Sequence, residues 1–246
     1  MNLKQQFDND GYVAVQGFLS QAQVAELQQQ TQRFIDEVVP TIPAQEVYFE
    51  NKGEQSSLKQ VQQVCQYDDY YRELANSPAV VNLAAELLGG PVELKNMQYF
   101  NKVPNIGQGT PAHQDGYYFK IKPQQAVTMW LSLGHADAEN GAVCYIPGSH
   151  NQGMRPHGST GTLGFSQGIS DWCEADDKAE VQMVAKPGDI LVHHSLTIHR
   201  ANANTSERTR QSVGFIFYRS DVVEDKEAHD AYKAQLNQDL AAAGKI

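Results

Sequence analysis

The sequence predicts a mainly β protein with flanking helices, in a single domain over residues 1–246. After Val92 come short runs rich in β-branched and aromatic residues: VELKNMQYF, AVTMWLSL, AVCYIP, VQMVA, DILVHH and SVGFIFY. Turn formers such as Pro187-Gly188 separate the runs. The hydrophobic fraction of 41% is sufficient to fill a core. Many short strands with regular punctuation are typical of a sandwich or jelly roll.

The first elements are a strand and a helix. The turn Asp10-Gly11 precedes the run YVAV, which predicts a short strand. Ser20 and Gln23 have the spacing of a capping box, and apolar residues then recur at helical spacing as far as Pro40. We interpret this apolar stripe as ordinary core.

A second helix is framed by Ser77 as N-cap, Pro78 at its first position and Gly89 at its end. The expected layout is helices within residues 20–90 packed on a jelly-roll core over about 92–220. A last amphipathic helix is expected over about 225–243.

Two segments resist assignment to regular structure. Residues 40–66 are polar and irregular, so they are expected to form a mobile flap or a plain loop. Residues 151–175 are rich in Gly and Ser, and long loops of this kind are often lids or binding loops. The second segment is therefore a candidate lid.

Charge and cysteine content limit the class of partner and the compartment. The formal net charge of -10 argues against nucleic acid, which normally binds basic surfaces. The 3 cysteines form no CxxC pair, which favours a reducing compartment. No secretory signal or membrane-spanning run is visible, so we expect a cytoplasmic protein with no membrane partner. The oligomeric state cannot be read from the sequence.

The stretch PAHQDGYYF contains a candidate pair of metal ligands. In an extended segment His113 and Asp115 point to the same side, while Gln114 points away. An imidazole and a carboxylate on one face are suitable ligands for a divalent metal. The alternative is a surface His and Asp that share a turn.

A third ligand is expected in the later stretch DILVHHSLTIHRANANTSERTRQSVGFIFYR. His193 and His199 share strand parity, and His194 faces the other way. Turn formers follow His199, so a hairpin closing near Asn204 is expected to bring Arg210 back beside it. Arg210 has an alternative interpretation as a solvated charge at a strand end.

Together these residues resemble the phytanoyl-CoA dioxygenase family, within the oxygenases that depend on Fe(II) and 2-oxoglutarate. The similar stretches are FDNDGYVAVQGFLSQAQVAEL, AHQD, VTMWLSLGHADAENGAVCYIPGSH and KPGDILVHHSLTIHRANANTSERTRQSVGFIFY. The resemblance implies a double-stranded β-helix, a jelly roll of the cupin-like kind. It also implies a hydroxylase that decarboxylates 2-oxoglutarate to succinate and CO2, with O2 as oxidant and a small molecule as substrate.

Site roles follow from the resemblance. His113, Asp115 and His199 would hold the iron, and Arg210 would pair with the far carboxylate of 2-oxoglutarate. Arg208 is the rival of Arg210, but the spacing from His199 favours Arg210. Further cosubstrate contacts would come from Trp130 and Asn96.

One position departs from the family pattern. Many members have Ser or Thr two residues after the distal histidine, where this chain has Ala201. Thr128 or Ser212 would supply the missing hydrogen bond, or the affinity for 2-oxoglutarate would be lower. The carboxylate of Asp115 favours hydroxylation, because related halogenases have Gly or Ala there.

The substrate chamber is expected beyond the metal ligands. Its candidate residues are Gln98, Tyr117, Tyr118, Phe119, Lys120, Arg155 and Trp172. Two other functions stay open: a metal enzyme of the same fold that does not use 2-oxoglutarate, and a non-catalytic ligand-binding jelly roll. The sequence does not select one substrate within the family's range.

Overall fold

A computed structural model describes residues 2–242 of the chain. Its α-helices are α1 Leu3–Asp10, α2 Gln21–Arg33, α3 Val64–Tyr67, α4 Asp69–Ala75, α5 Pro78–Leu88, α6 Gly116–Phe119, α7 Glu174–Ala179 and α8 Lys226–Ala242. Within the described residues, none of these helices combines the length and apolarity needed to cross a bilayer.

The strands are short and lie mostly after α5. They are β1 Tyr12–Val15, β2 Val47–Phe49, β3 Leu58–Val61, β4 Val92–Lys102, β5 Thr110–His113, β6 Ile121–Lys122, β7 Ala126–Ser132, β8 Val143–Tyr145, β9 His157–Thr162, β10 Phe165–Ile169, β11 Val181–Gln182, β12 Ile190–His194, β13 His199–Ala201, β14 Arg210–Arg219 and β15 Val223–Glu224.

Two antiparallel sheets form the jelly roll. The larger has the order β1-β12-β7-β14-β4-β3-β2, and the smaller has the order β11-β8-β13-β5. Buried side chains from the two sheets pack together between them, including Trp130 and Leu191 from the larger and Val143 and Tyr145 from the smaller. The inner faces of both sheets therefore enclose a common interior, in which the candidate site lies.

The outer face of the larger sheet carries the main hydrophobic core. Val213, Phe215 and Phe217 of β14 are buried there with Leu27 of α2 and Leu87 of α5. Side chains of alternating parity on β14 thus serve two purposes, because one set packs on the helices and the other faces the interior.

The capping signals read from the sequence occur at helix ends. Ser20 and Gln23 form the expected capping box at α2. Gly89 ends α5 in the left-handed conformation, with φ of 70°. After α2 the chain continues as a π-helical turn over Phe34–Val38 and a 3-10 turn over Val39–Thr41. The stop near Pro40 is therefore confirmed.

Both segments expected to be irregular contain strands. Residues 40–66 include β2 and β3, which extend the larger sheet beyond β4. Residues 151–175 include the hairpin of β9 and β10. In this hairpin Phe165 is the register partner of Thr162, and Ile169 is the register partner of His157. The loop predictions fail because β2 has only three residues, β3 has two polar residues at its centre, and β9 is made of polar residues and glycines, so none of them shows the apolar alternation that marks a strand.

The expected hairpin between His199 and Arg210 is wrong. β13 pairs with β5 and β8 in the smaller sheet, whereas β14 pairs with β4 and β7 in the larger. The intervening turn therefore crosses between sheets, and Asn204 holds it by donating to the carbonyls of Lys102 and Arg208. His199 and Arg210 consequently reach the interior from opposite sheets.

The final helix, α8, begins one residue later than expected, at Lys226, and is described to Ala242. The expected last residue, Ala243, lies outside the described residues. The single domain over residues 1–246 stays a prediction.

Candidate metal centre and adjoining cavities

Three predicted ligands come together between the sheets. His113 ends β5, His199 begins β13, and the two residues are register partners across the smaller sheet. Asp115 follows His113 just before α6. One ligand atom from each of these side chains can be chosen such that all three lie within 4.8 Å of one another. The arrangement is that of a compact three-ligand metal centre.

The local backbone around Asp115 differs from the extended segment expected from the sequence. β5 ends at His113, and Asp115 has helical angles, φ -58° and ψ -34°. Gln114 is buried, and its side chain donates to the carbonyls of Gly153 and Leu196. A turn stabilised by Gln114, rather than strand alternation, therefore directs Asp115 toward the two histidines.

Each ligand histidine has one ring nitrogen engaged by the backbone. Nδ1 of His113 lies 2.8 Å from the carbonyl of Pro111, and Nδ1 of His199 lies 3.0 Å from the carbonyl of Thr197. A neutral ring that donates from Nδ1 carries its lone pair on Nε2. Both rings therefore present Nε2 to the centre, as is usual for metal-binding histidines.

The carboxylate of Asp115 is oriented by a second set of contacts. Its Oδ2 accepts a hydrogen bond from Thr128 and lies 3.0 Å from Nε2 of His193. Nδ1 of His193 lies 2.9 Å from the hydroxyl of Tyr145. The other oxygen, Oδ1, faces the two ligand histidines. It lies 3.4 Å from Nε2 of His113 and 3.7 Å from Nε2 of His199. The sequence also offered His193 as a candidate third ligand. In the structure His193 instead contacts Oδ2 of Asp115, the oxygen that also accepts from Thr128.

Charge at the centre suits a cation. Burial raises the pKa of the Asp115 carboxyl, but His199, His113 and His193 outweigh burial and hold that pKa well below its usual range. Burial, with His113 and His193 nearby, lowers the pKa of His199 well below its usual range. A carboxylate and neutral imidazoles are the protonation states that bind a divalent metal.

A small cavity of about 90 Å³ extends from the centre to Arg210. Arg210 is only 5% exposed, and its guanidinium carbon lies 5.2 Å from the centre of the Trp130 ring. Its Nε has no hydrogen-bond partner, and within the described residues no carboxylate pairs with it. Burial lowers the pKa of Arg210 to about 10, so it stays charged at neutral pH. A buried, unpaired guanidinium is a binding site for an anion.

Two lysines that the sequence analysis did not predict, Lys59 and Lys102, also line this cavity. Lys102 is the register partner of Arg210, and its ammonium donates to the carbonyl of Gln108 and lies 3.4 Å from Thr110 Oγ1. Burial, with Arg210 and Lys59 nearby, lowers the pKa of Lys102 well below its usual range. Lys59 pairs with Glu50 at 3.2 Å. The alternation of side-chain direction along β4 was the signal in the sequence that could have identified Lys102.

A second cavity, of about 350 Å³, opens on the other side of the metal ligands. Among the predicted substrate residues, Gln98, Tyr118 and Phe119 line it. Asn96, predicted to contact the cosubstrate, lines this cavity and not the one that contains Arg210. His113, Asp115 and Thr128 line both cavities, so the candidate metal centre lies where they adjoin.

The amino-acid sequence matches the model of a known protein family. The family model described as phytanoyl-CoA dioxygenase covers residues 7–212. The chain belongs to the phytanoyl-CoA dioxygenase family. The resemblance read from the metal and arginine motifs is confirmed.

Relatives with known names support the same assignment. Phytanoyl-CoA dioxygenase domain-containing protein 1 of Danio rerio is 33% identical over 178 residues, which is 68% of this chain and 61% of that protein. A probable alpha-ketoglutarate-dependent hypophosphite dioxygenase of Stutzerimonas stutzeri is 27% identical over 85% of this chain and 74% of its own. The chain therefore spans less than two thirds of the zebrafish relative.

Solved structures share the fold. The epimerase SnoN, in complex with Fe3+, alpha ketoglutarate and nogalamycin RO, aligns with a TM-score of 0.73 over 90% of this chain and 84% of its own, at 23% identity. The predicted double-stranded β-helix is thus confirmed. Iron and 2-oxoglutarate, the predicted cofactors, are bound in that neighbour.

Other residues singled out by comparison with the phytanoyl-CoA dioxygenase family have different surroundings. Arg208, the rival of Arg210, is half exposed and pairs with Asp137 and Glu139. Thr128 donates to Asp115 rather than facing Ala201. The register partner of Ala201 is Thr110, which lines the Arg210 cavity. Thr110 is therefore a closer substitute for the missing hydroxyl than Thr128.

Four predicted substrate residues line neither cavity. Tyr117 stacks on His157 at 4.4 Å between ring centres, and the Lys120 ammonium lies 4.3 Å from the Tyr117 ring centre. Arg155 pairs with Asp171 and Asp176, and Trp172 donates to Asp177. The structure therefore does not bring these four predicted chamber residues to the wall of either cavity.

Proposed function

We propose that this protein is an Fe(II)- and 2-oxoglutarate-dependent dioxygenase that hydroxylates an unactivated C–H bond of a small molecule. The reaction would decarboxylate 2-oxoglutarate to succinate and CO2. One observation carries the proposal: the three-ligand centre adjoins a cavity that ends at a buried guanidinium, which pairs with no carboxylate among residues 2–242 as described.

The donor set fits the metal. Two imidazoles and one carboxylate are the usual ligands of non-haem Fe(II) in oxygenases, and they leave positions open for cosubstrate and oxygen. His113, Asp115 and His199 would hold the ion through Nε2, Oδ1 and Nε2. The bound iron would supply the activation of O2 that organic side chains cannot provide.

The chain's own residues would orient the cosubstrate. Arg210 would bind the far carboxylate of 2-oxoglutarate through its guanidinium, with Lys102 and Thr110 beside it and the Trp130 ring against it. The opposing end of the cosubstrate would then reach the metal ligands. Burial of the Arg210 guanidinium strengthens the electrostatic contact with a bound carboxylate.

Hydroxylation is the outcome that the carboxylate of Asp115 favours, since it occupies the position at which related halogenases leave room for chloride. The epimerase among the structural neighbours shows that the fold also supports other outcomes. Substrate pose above the centre, rather than ligand identity, would decide between them.

An anaerobic visible spectrum tests the proposal. Metal-free protein receives Fe(II) and then 2-oxoglutarate, and chelation by the 2-oxo acid produces a charge-transfer band. We expect the band in the wild type, its loss in His199→Ala, and a need for at least tenfold more 2-oxoglutarate in Arg210→Ala. Arg208→Ala is the matched control, because Arg208 is half exposed and pairs outside the cavity.

Each other outcome has a defined meaning. Iron binding without a band in the wild type contradicts the 2-oxoglutarate assignment and supports a metal enzyme of the same fold that does not use it. Absence of iron binding supports a non-catalytic ligand-binding jelly roll.

A further inference from the structure

One wall of the larger cavity is built from carboxamides. Gln60 and Gln62 approach from β3 and its end, and Asn96 and Gln98 from β4. Gln60 Nε2 donates to Gln98 Oε1 at 2.8 Å, and Asn96 Nδ2 donates to Gln62 Oε1 at 3.1 Å. We call these four residues the amide wall. Four amides in one wall are unusual, because small-molecule sites are mostly apolar with few polar groups.

The amide wall keeps hydrogen-bonding capacity for a ligand. A primary amide has two N–H donors and an oxygen with two lone pairs, and the two amide-to-amide bonds use a fraction of these. The Nε2 groups of Gln62 and Gln98 form no hydrogen bond within the described residues, so their N–H groups stay available to the oxygens of a ligand. Gln60 is only 2% exposed and its Oε1 is enclosed beside Gly164, so Gln60 contributes by holding Gln98 in place.

The facing side of the cavity is aromatic. Tyr118, Phe165 and Tyr232 line it, whereas Tyr48, the register partner of Gln60, lies beside the amide wall. The Tyr118 hydroxyl donates to the carbonyl of Gln167, and the Tyr232 hydroxyl lies 2.6 Å from Ser166 Oγ. These two hydroxyls are engaged by the hairpin of β9 and β10. The rings therefore present apolar surface toward the amide wall.

Fixed charge in the cavity does not favour an anion. Lys95 is the one lysine or arginine among the described residues that line it. Its ammonium pairs with Glu224 and also lies 3.0 Å from Glu93. A phosphate-bearing group such as coenzyme A would meet no unpaired cation there, although charge-assisted contacts are the usual way to bind phosphate.

We propose that the substrate is a neutral, hydroxyl-rich small molecule, a polyol or glycoside, held between the amide wall and the aromatic side. Hydroxyl groups match carboxamides because both donate and accept, and the C–H faces of a saturated ring cover the aromatic rings. A cavity of about 350 Å³ is near the lower end of small-molecule sites. This inference rests on the proposed function and names its substrate class.

The test compares chemical classes as ligands of the intact protein loaded with Mn(II) and 2-oxoglutarate. The probes are methyl glucoside, sorbitol and myo-inositol for neutral polyols, proline and glycine betaine for zwitterions, and octanoyl-coenzyme A for anionic thioesters. Binding is measured by calorimetry, and stimulation of succinate formation is measured separately with Fe(II) and O2. We expect the neutral polyols, at tens of millimolar, to give the largest response in both measurements.

Variants connect the response to the amide wall. Gln98→Leu keeps the side-chain size but removes the amide, so polyol affinity is expected to fall about tenfold or more. Affinity for 2-oxoglutarate is expected to stay unchanged, since Gln98 does not line the Arg210 cavity. Gln29→Leu makes the same substitution at an exposed position of α2 and is the matched control.

The outcomes separate the two proposals. If the charge-transfer band forms but proline, glycine betaine or octanoyl-coenzyme A responds best, the substrate class is wrong and the proposed function stands. The same holds if no polyol responds, or if Gln98→Leu binds polyols as well as the wild type does. If the band does not form in the wild type, the proposed function itself fails.

Discussion

Each histidine around the candidate centre uses one ring nitrogen on the protein and directs the other inward. His113 and His199 contact backbone carbonyls, whereas His193 contacts the hydroxyl of Tyr145. Asp115 consequently has one oxygen engaged by His193 and Thr128 and the other directed to the ligands. Such outer contacts fix ligand orientation, and their removal typically weakens metal binding by roughly 10–100-fold.

Replacing His193 is expected to weaken metal binding without removing a ligand. His193→Phe removes the contact to Asp115 Oδ2 and leaves that buried carboxylate oxygen with Thr128 alone. We expect the Kd for Mn(II), followed by electron paramagnetic resonance, to rise roughly 10–100-fold. Tyr145→Phe, which removes the contact on the far side of His193, should produce a smaller rise. Equal metal affinity in His193→Phe and the wild type would show that Asp115 needs no such support.

Lys102 is expected to contribute to cosubstrate binding. Its amine lies in the Arg210 cavity and has no carboxylate partner within the described residues. An incoming carboxylate would raise the pKa that burial and Arg210 lower, and so would gain a charge-assisted bond from the protonated lysine. Lys102→Met should raise the Kd for 2-oxoglutarate about tenfold while the Kd for Fe(II) alone stays unchanged. Lys186→Met, at an exposed lysine, controls for loss of charge. Unchanged 2-oxoglutarate affinity in Lys102→Met would limit this lysine to a structural role.

At the scale of elements, two elements outside the two main sheets cover the larger cavity: the hairpin of β9 and β10, and α8. The hairpin of β9 and β10 contributes Gly164, Phe165 and Ser166 to its lining, and α8 contributes Tyr232. The contact between Ser166 and Tyr232 joins these two elements. The lining of the larger cavity thus depends on elements that belong to neither of the two main sheets.

The tip of that hairpin requires glycine at residue 164. Gly164 has φ of 83°, and a Cβ there would lie 2.2 Å from Gln60 Oε1. Gly164→Ala should therefore displace the Gln60 amide or the hairpin tip, speed cleavage of the hairpin by protease and weaken binding of a polyol probe about tenfold. Gly161→Ala is the matched control, because Gly161 has φ of 70° but its Cβ would meet nothing within 4 Å. Both variants share a cost of roughly 1–2 kcal/mol for the left-handed backbone. Equal proteolysis of the two would show that the Gln60 contact is unimportant.

At the scale of the whole molecule, stability should depend on a histidine outside the site. His194 lies on the face of β12 opposite His193, near Phe7 and His150. Burial, with His150 and His193 nearby, lowers the pKa of His194 from 6.5 to about 4. The unfolded chain then binds a proton below pH 6.5 that the folded protein does not bind.

The free energy of unfolding is therefore expected to fall as pH decreases from about 6.5 to about 4, by up to about 3 kcal/mol from His194. Urea unfolding of metal-free protein at pH 7 and pH 4.5 measures this difference. His194→Gln should reduce the pH dependence, while His135→Gln, at an exposed position, should retain it. An identical pH dependence in all three proteins contradicts this assignment to His194.

The sequence by itself determined the features that depend on neighbouring residues, such as the ends of helices. The capping box at Ser20 and the glycine stop at Gly89 each depend on residues close together in the chain, so they were predicted correctly. The candidate metal ligands His113, Asp115 and His199 were proposed from a rare combination of residue types and spacings, and the structure brings them together. Resemblance to a family then supplied the double-stranded β-helix.

Tertiary structure alone decided how these residues meet. The turn that directs Asp115 depends on Gln114 bonds to Gly153 and Leu196, and the crossing between sheets separates His199 from Arg210. The amide wall and Lys102 combine strands distant in sequence. Hydrogen bonds and packing between remote segments fix such positions, and the periodicity of one segment contains no information about its partner in space.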